Sequence, residues 1–291
     1  MKTEYYILEP QNFKLDGGAM FGIIPKPLWN RVHPSDEQNR IDLALRLVLI
    51  KKEKRIILID TGIGDYHDQK FIERFAITQK NSFISPLENA LAQINLTPAD
   101  ITDLVLSHLH FDHAGGLGKM EDHKMVPIFK SAIVHLHKDH YQYSLHPTER
   151  DAGSFQGQYF KPLIEWYKDH NQLHLLEGME GSIISDLHFK CSMGHTPYLL
   201  HAYDKKFIYM ADLIPTSNHV SVPWVMGYDI SPGISTSDKK NFLKFVHDNN
   251  LFMIFEHDPL YYGSTVKKNE KGEYSCDHLK AVEVKGSTSL F

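Results

Sequence analysis

Short apolar runs alternating with helix-forming stretches, in both halves of the chain, predict a mixed α/β or α+β fold. Three observations carry this expectation. Ile41–Ile50 and Arg55–Asp60 read as two strands joined by the charged turn Lys51–Lys54. Ser85–Ile94 reads as a capped helix leading to a further apolar run, Ile101–Leu106. After residue 180 the pattern recurs, with strands at 199–203 and 206–210, a helix at 237–249 and a strand at 251–255.

Taken in order, Tyr5–Leu8 reads as a first strand. Asp16–Trp29 is punctuated by glycine and proline and reads as a loop, yet it carries Met20, Phe21, Ile23, Ile24 and Trp29. An apolar loop is either folded over the core or forms one wall of a ligand pocket. Residues 66–82 read as a short helix with loops. In the helix that follows, Ser85 is placed to cap it, Pro86 suits its first turn and Glu88 completes a capping box. Ser131–Leu136 is another strand. The aromatic, polar stretch Lys138–Gly178 is too long for a plain connection and reads as a helical insertion within one domain spanning 1–291. Ser182–Lys190 resumes the strand pattern, and Tyr261–Cys276 reads as a hairpin around Asn269–Gly272.

The net charge of −5 argues against a nucleic-acid partner, because phosphate binding needs a concentrated basic surface. No apolar run reaches the roughly 18 residues that a membrane helix requires. The polar start Met1–Tyr6 lacks the apolar core of a secretory signal. Two isolated cysteines, Cys191 and Cys276, make no disulfide framework and fit a reducing cytoplasm. Cys191 stands four residues before His195 and reads as a small buried hydrophobe rather than a ligand. Among the 19 histidines, most of His33, His67, His123, His137, His140, His146, His170 and His174 read as surface residues.

The chemistry concentrates in Ser107–Gly116, where His108, His110, Asp112 and His113 fall directly after an apolar run. His108 and His110 are two apart, so an extended backbone points both imidazoles the same way. Asp112 and His113 fall at the bend before Gly115–Gly116, where consecutive side chains diverge. Two ligands can thus be aimed at each of two neighbouring metal ions. Imidazole and carboxylate without thiolate suit Zn²⁺, with Mn²⁺, Fe²⁺ or Co²⁺ able to substitute.

This His-x-His-x-Asp-His pattern resembles the signature of the metallo-β-lactamase superfamily. The resemblance implies an αβ/βα sandwich, an α+β fold of four layers with two mixed sheets face to face under outer helices. It also implies three later ligands. His195 in Gly194-His195-Thr196-Pro197, Asp212 in Met210-Ala211-Asp212-Leu213 and His257 after Leu251–Glu256 stand where they belong. By that pattern His108, His110 and His195 hold one metal, Asp112, His113 and His257 hold the other, and Asp212 bridges both. A bridging hydroxide would attack the substrate carbonyl, and Asp112 would carry a proton to the leaving group. Asp60, ending the strand before Thr61-Gly62, would hold the ligand-bearing loops from behind.

Ala211-Asp212-Leu213-Ile214-Pro215, Glu256-His257-Asp258 and the Gly17-Gly18-Ala19-Met20-Phe21-Gly22 loop resemble N-acyl-homoserine lactonases and methyl parathion hydrolase. The substrate expected is therefore a lactone or other small ester, with Met20, Phe21, Ile23, Trp29 and Tyr198 in contact with it. Many lactonases carry a Tyr three residues after the bridging Asp, where this chain has Pro215; Tyr198 could supply that phenol. A phosphotriester or aryl-ester hydrolase would use the same metals, and a mononuclear-iron thiol dioxygenase is a weaker alternative. A homodimer is among the assemblies compatible with this reading.

Overall fold

The computed structural model describes residues 3–78, 84–281 and 287–290. The chain falls into two compact units, Met1–Gln11 with Leu45–Gly178 and Glu283–Phe291, and Asn12–Ala44 with Met179–Val282.

The first unit is built on a seven-stranded sheet in the order Ser287–Ser289, Glu4–Asp16, Arg40–Lys52, Arg55–Ile59, Asp103–Val105, Ile133–His137, Leu173–Leu176. Arg40–Lys52 and Arg55–Ile59 form the expected hairpin, with Val48 opposite Ile59 and Glu53 at φ 56° in the turn. From Arg55–Ile59 onward the neighbours run parallel. Leu43–Ile50 is buried without a break, because both faces of these strands are covered. Helix Pro86–Ala92 has the capping box: Glu88 N–H donates to Ser85 Oγ and Ser85 N–H to Glu88 Oε2. Gln69–Phe75 is the short helix expected after residue 66, and 79–82 of that stretch lie outside the described residues. Residues 138–178 hold helices Lys138–Leu145 and Gly157–Asp169, then end in the edge strand Leu173–Leu176. Helix Gly157–Asp169 buries Phe160, Leu163, Ile164 and Tyr167, spaced to form one apolar face.

The second unit has its own seven-stranded sheet, ordered Lys280–Ala281, Tyr261–Ser264, Phe252–Ile254, Phe207–Tyr209, Leu199–Tyr203, Leu187–Ser192, Glu180–Ile184. The run read as one strand over 182–190 is a hairpin. Ser185, at φ 39°, reverses the chain within a polar pair too short to stand out in the sequence. Helix Pro232–Asp248 starts five residues before the expected 237, since Pro232 occupies its first position with φ already helical. The stretch read as a loop over Asp16–Trp29 contains two helical turns, Gly17–Phe21 and Lys26–Trp29. Asp16 Oδ1 accepts from Ala19 N–H at 2.8 Å and caps the first despite its glycines. At the far end, Asn269 Oδ1 accepts from Lys271 and Glu273 N–H to close the hairpin Val266–Lys268/Tyr274–Cys276, and Tyr261–Ser264 joins the main sheet.

Both units combine a mixed sheet with helices, the α+β class expected. Among the described residues no helix is long and apolar enough to cross a membrane.

Candidate metal centre

In the first unit, the buried strand Asp103–Val105 delivers the chain to Ser107, which is fastened to Asp60. Ser107 N–H donates to Asp60 Oδ1 at 2.7 Å and Ser107 Oγ–H to Asp60 Oδ2 at 2.6 Å. His108, His110, Asp112 and His113 are all buried. His108 Nδ1 lies 3.0 Å from Ser107 Oγ, and its ring centroid is 4.4 Å from that of His110 and 3.8 Å from that of His113. His110 is extended (φ −66°, ψ 156°) and precedes the turn Phe111–Ala114, which carries Asp112 and His113. His113 Nδ1 lies 2.9 Å from Asp60 Oδ2, so Nδ1 carries the proton and Nε2 is the nitrogen with a lone pair to offer a metal. Asp112 Oδ2 lies 3.8 Å from that Nε2.

The turn is clamped from below by the loop after Asp60. Thr61 N–H donates to His113 O and Gly116 N–H to Gly62 O. A Cβ on Gly115 would lie 2.0 Å from Ile63 O, and one on Gly116 2.1 Å from Thr61 O, so this backbone-to-backbone approach requires both glycines.

In the second unit, one carboxylate faces two imidazoles. Asp212 Oδ2 is 3.1 Å from His195 Nε2, and Asp212 Oδ1 is 3.0 Å from His257 Nε2. Each ring is held from its far side: His195 Nδ1 by Asp229 Oδ1 at 3.0 Å, and His257 Nδ1 by the Ala44 carbonyl at 2.9 Å. Burial lowers the pKa of His195, but Asp212 and Asp229 outweigh it and push the group up to about 9. Atoms able to ligate on Asp212, Glu256 and His257 lie within 4.8 Å of one another. The donor set is therefore imidazole and carboxylate, with acceptors at the Nδ1 of His113, His195 and His257 that direct Nε2 toward a ligand role, and it fits a divalent ion such as Zn²⁺.

Sequence reasoning missed several of these groups. Glu256 directly precedes His257, but alternation along a strand would have placed its side chain on the opposite face. Asp229 sits in an irregular stretch with no pattern to mark it. His140, read as a surface residue, is buried, and its Nε2 accepts from Leu109 N–H at 2.9 Å. His33, His67 and His137 are also buried, because tertiary partners satisfy their ring nitrogens: Asn218, the Ile63 carbonyl and the Gly178 carbonyl respectively.

The residues expected to line a substrate wall differ in exposure. Met20, Phe21 and Trp29 are buried, with Phe21 at 0% exposure, whereas Ile23 is 84% exposed. Phe21 packs between the rings of Trp29, His33, His219 and Trp224, at centroid distances of 5.0–5.5 Å. Its ring is enclosed by these four. Tyr198 is half-buried at φ 57°, and its N–H donates to Met193 Sδ. A half-buried aromatic group that the sequence reading passed over lies in the first unit. Phe71, Phe75 and Phe111 have centroids 4.6, 5.2 and 5.3 Å apart, with Phe111 between His110 and Asp112 in the chain. The i, i+4 spacing of Phe71 and Phe75 on one helix was its available signal.

A family model described as the metallo-beta-lactamase superfamily matches residues 47–257. An N-acyl homoserine lactonase of Bacillus cereus is 25% identical over 165 residues, 55% of this chain and 57% of that protein. The matched region thus spans little more than half the length of that curated relative. Among solved structures, a probable metal-dependent hydrolase from Staphylococcus aureus aligns with a TM-score of 0.83 and 28% identity, over 98% of this chain and 99% of that one. AidC, a dizinc quorum-quenching lactonase solved with a product, aligns with a TM-score of 0.74 and 22% identity, over 95% and 94% of the two chains. Over nearly its whole length the chain has the fold its motif led us to expect.

Proposed function

The chain belongs to the metallo-beta-lactamase superfamily, and from that premise we propose that it is a metal-dependent hydrolase that opens lactones of the N-acyl-homoserine type. His108, His110 and His195 would hold one divalent ion, Asp112, His113 and His257 a second, with Asp212 shared and zinc the ion proposed. The observation that carries this reading is Asp212, whose two oxygens face two histidines that are each held in the ligand tautomer from behind. A carboxylate used for one hydrogen bond has no need of that symmetry. The family match runs through both units, which supports reading the chain as one domain of this superfamily.

Ions bound there supply Lewis acidity and a water of lowered pKa. The protein's own groups do the rest. Asp60 fixes the orientation of His113 and of the turn that carries Asp112. Asp112, buried beside the motif, would accept the proton of the attacking water and return it to the ring oxygen as the ester C–O bond breaks. The products are a carboxylate and an alcohol. Phe71, Phe75 and Phe111 offer a half-buried apolar surface next to the motif, suited to an acyl chain or an aryl group.

That aromatic group gives weight to a second reading, a phosphotriester or aryl-ester hydrolase on the same residues. Elemental analysis and a side-by-side assay on acyl lactones and paraoxon-like esters separate the two. We expect two ions per chain, loss of both in Asp212→Ala, and loss of one in His257→Ala. A single tightly held ion unaffected by His257→Ala overturns the ligand assignment, and higher kcat/KM on the phosphotriester overturns the lactone.

A further inference from the structure

We infer that Asp229 is the positioning residue that makes His195 a metal ligand, and that it does so on a backbone held separately by helix Pro232–Asp248. The inference rests on the ligand role of His195 proposed above. Asp229 is buried, and its Oδ1 lies 3.0 Å from His195 Nδ1, while the opposite ring nitrogen points at Asp212. The ring is thus held along its Nδ1–Nε2 axis. A carboxylate at Nδ1 accepts its N–H, fixes the tautomer that leaves the Nε2 lone pair for a metal, and raises the basicity of that nitrogen.

The surrounding contacts hold the main chain instead. Ile230 N–H donates to His195 O at 3.2 Å and Ser231 N–H to Gly194 O at 2.9 Å, so residues just after Asp229 zip onto the His195 turn. Asp238 Oδ2 accepts from Met193 N–H at 2.7 Å and from Gly194 N–H at 3.1 Å. Gly194 presses on the helix so closely that a Cβ would lie 2.2 Å from Ser235 N. Farther along, the buried Lys239 donates to the carbonyls of Ser221, Val222 and Trp224, fastening the start of the stretch that ends at Asp229. Among these groups Asp229 is the one that touches the imidazole. Its removal should therefore change metal binding while the turn stays in place.

The test uses the full chain loaded with zinc. Chelator competition gives the affinity of each ion, and the visible spectrum of the Co²⁺-substituted protein reports the ligand field. Three variants are compared: His195→Ala, Asp229→Ala and Asp229→Asn. We expect His195→Ala and Asp229→Ala to weaken the same ion. For Asp229→Ala the loss should be about 10–100-fold. Asp229→Asn, which keeps an acceptor oxygen but no charge, should fall between wild type and Ala and shift the Co²⁺ spectrum. If Asp229→Ala does not fold, Asp229→Asn decides by its spectrum and affinity. Should His195→Ala lose an ion while the Asp229 variants keep wild-type affinity and spectrum, the positioning role is wrong and the ligand role of His195 stands. Wild-type metal binding in His195→Ala overturns both.

Discussion

Asp60 and His113 lie 53 residues apart in the chain and 2.9 Å apart in space, and both are completely buried. The same carboxylate binds the main chain and hydroxyl of Ser107, so one side chain aligns the two ends of the Ser107–His113 segment. Asp60 itself adopts φ 59°, a conformation that asparagine tolerates and alanine enters at a cost. Asp60→Asn should therefore fold and lose metal affinity about 10-fold. Asp60→Ala should lose more affinity and about 3 kcal/mol of stability, the scale of an abandoned buried charged hydrogen bond. Chelator titration and urea unfolding of the two variants check this. Equal, wild-type metal affinity in both would confine Asp60 to capping its turn.

Asp112→Asn preserves size and one coordinating oxygen but cannot take up a proton. With metal restored, kcat should fall about 10²–10⁴-fold on a lactone, whose alkoxide leaving group needs that proton. On a nitrophenyl ester, whose leaving group does not, the loss should be much smaller. Equal losses on both substrates would leave Asp112 as a ligand alone.

Phe21 and Phe111 should part company. Phe21→Ala empties the centre of a buried ring cluster and should cost about 3–5 kcal/mol of stability, without altering selectivity for acyl length. Phe111→Ala should leave stability nearly unchanged and flatten the dependence of kcat/KM on acyl length. Each methylene in contact with the aromatic group contributes up to about 0.8 kcal/mol, or nearly fourfold. Kinetics on a lactone series, read beside thermal unfolding, separates the two. A profile flattened by Phe21→Ala and untouched by Phe111→Ala would return the substrate wall to the 20–29 segment.

Acid should destabilise the metal-free protein early. Burial holds His201 and His219 down to about 3, where an unfolded chain would titrate each near 6.5. His219 Nε2–H donates to Met20 O while Nδ1 accepts from Thr216 Oγ–H, an arrangement only the neutral ring can make. The unfolded state therefore binds more protons below pH 6.5. Stability is full above that value and falls by about 1.4 kcal/mol per pH unit for each residue as pH drops toward 3. His195, raised to about 9, is protonated when folded throughout this range, and below pH 6.5 the unfolded chain protonates it too, so it adds little slope there. Urea midpoints at pH 7, 6 and 5 should decline steeply; a flat series would sink this assignment.

What could be read from the sequence was what local chemistry dictates. The hairpin at Lys51–Lys54, the Ser85 capping box and the strand before Ser107 each rest on neighbours in the chain. Four ligand candidates stood out because they are crowded into one short segment, and three more because a family pattern placed them. Asp229, Glu256 and His140 stayed hidden, since their value lies in partners that tertiary folding supplies. The 20–29 segment shows the limit from the other side. Apolar residues on a glycine-rich stretch suit a core as well as a pocket, and the rings of His33, His219 and Trp224 that surround Phe21 come from parts of the chain no local pattern links to it.

Strands Ile133–His137 and Leu173–Leu176 lie side by side and parallel, so the chain between them has to travel back the length of a strand. Once such a return exists, its length is weakly constrained: doubling a flexible loop costs only about 0.6 kcal/mol in closure entropy. Between these two strands the mostly exposed stretch His146–Arg150 can therefore be lengthened or exchanged, whereas His140, which holds Leu109 N–H, and the buried face of helix Gly157–Asp169 have to stay if the Ser107–Gly116 turn is to keep its place. Descendants of this chain have there a place to alter what they act upon without disturbing how they act.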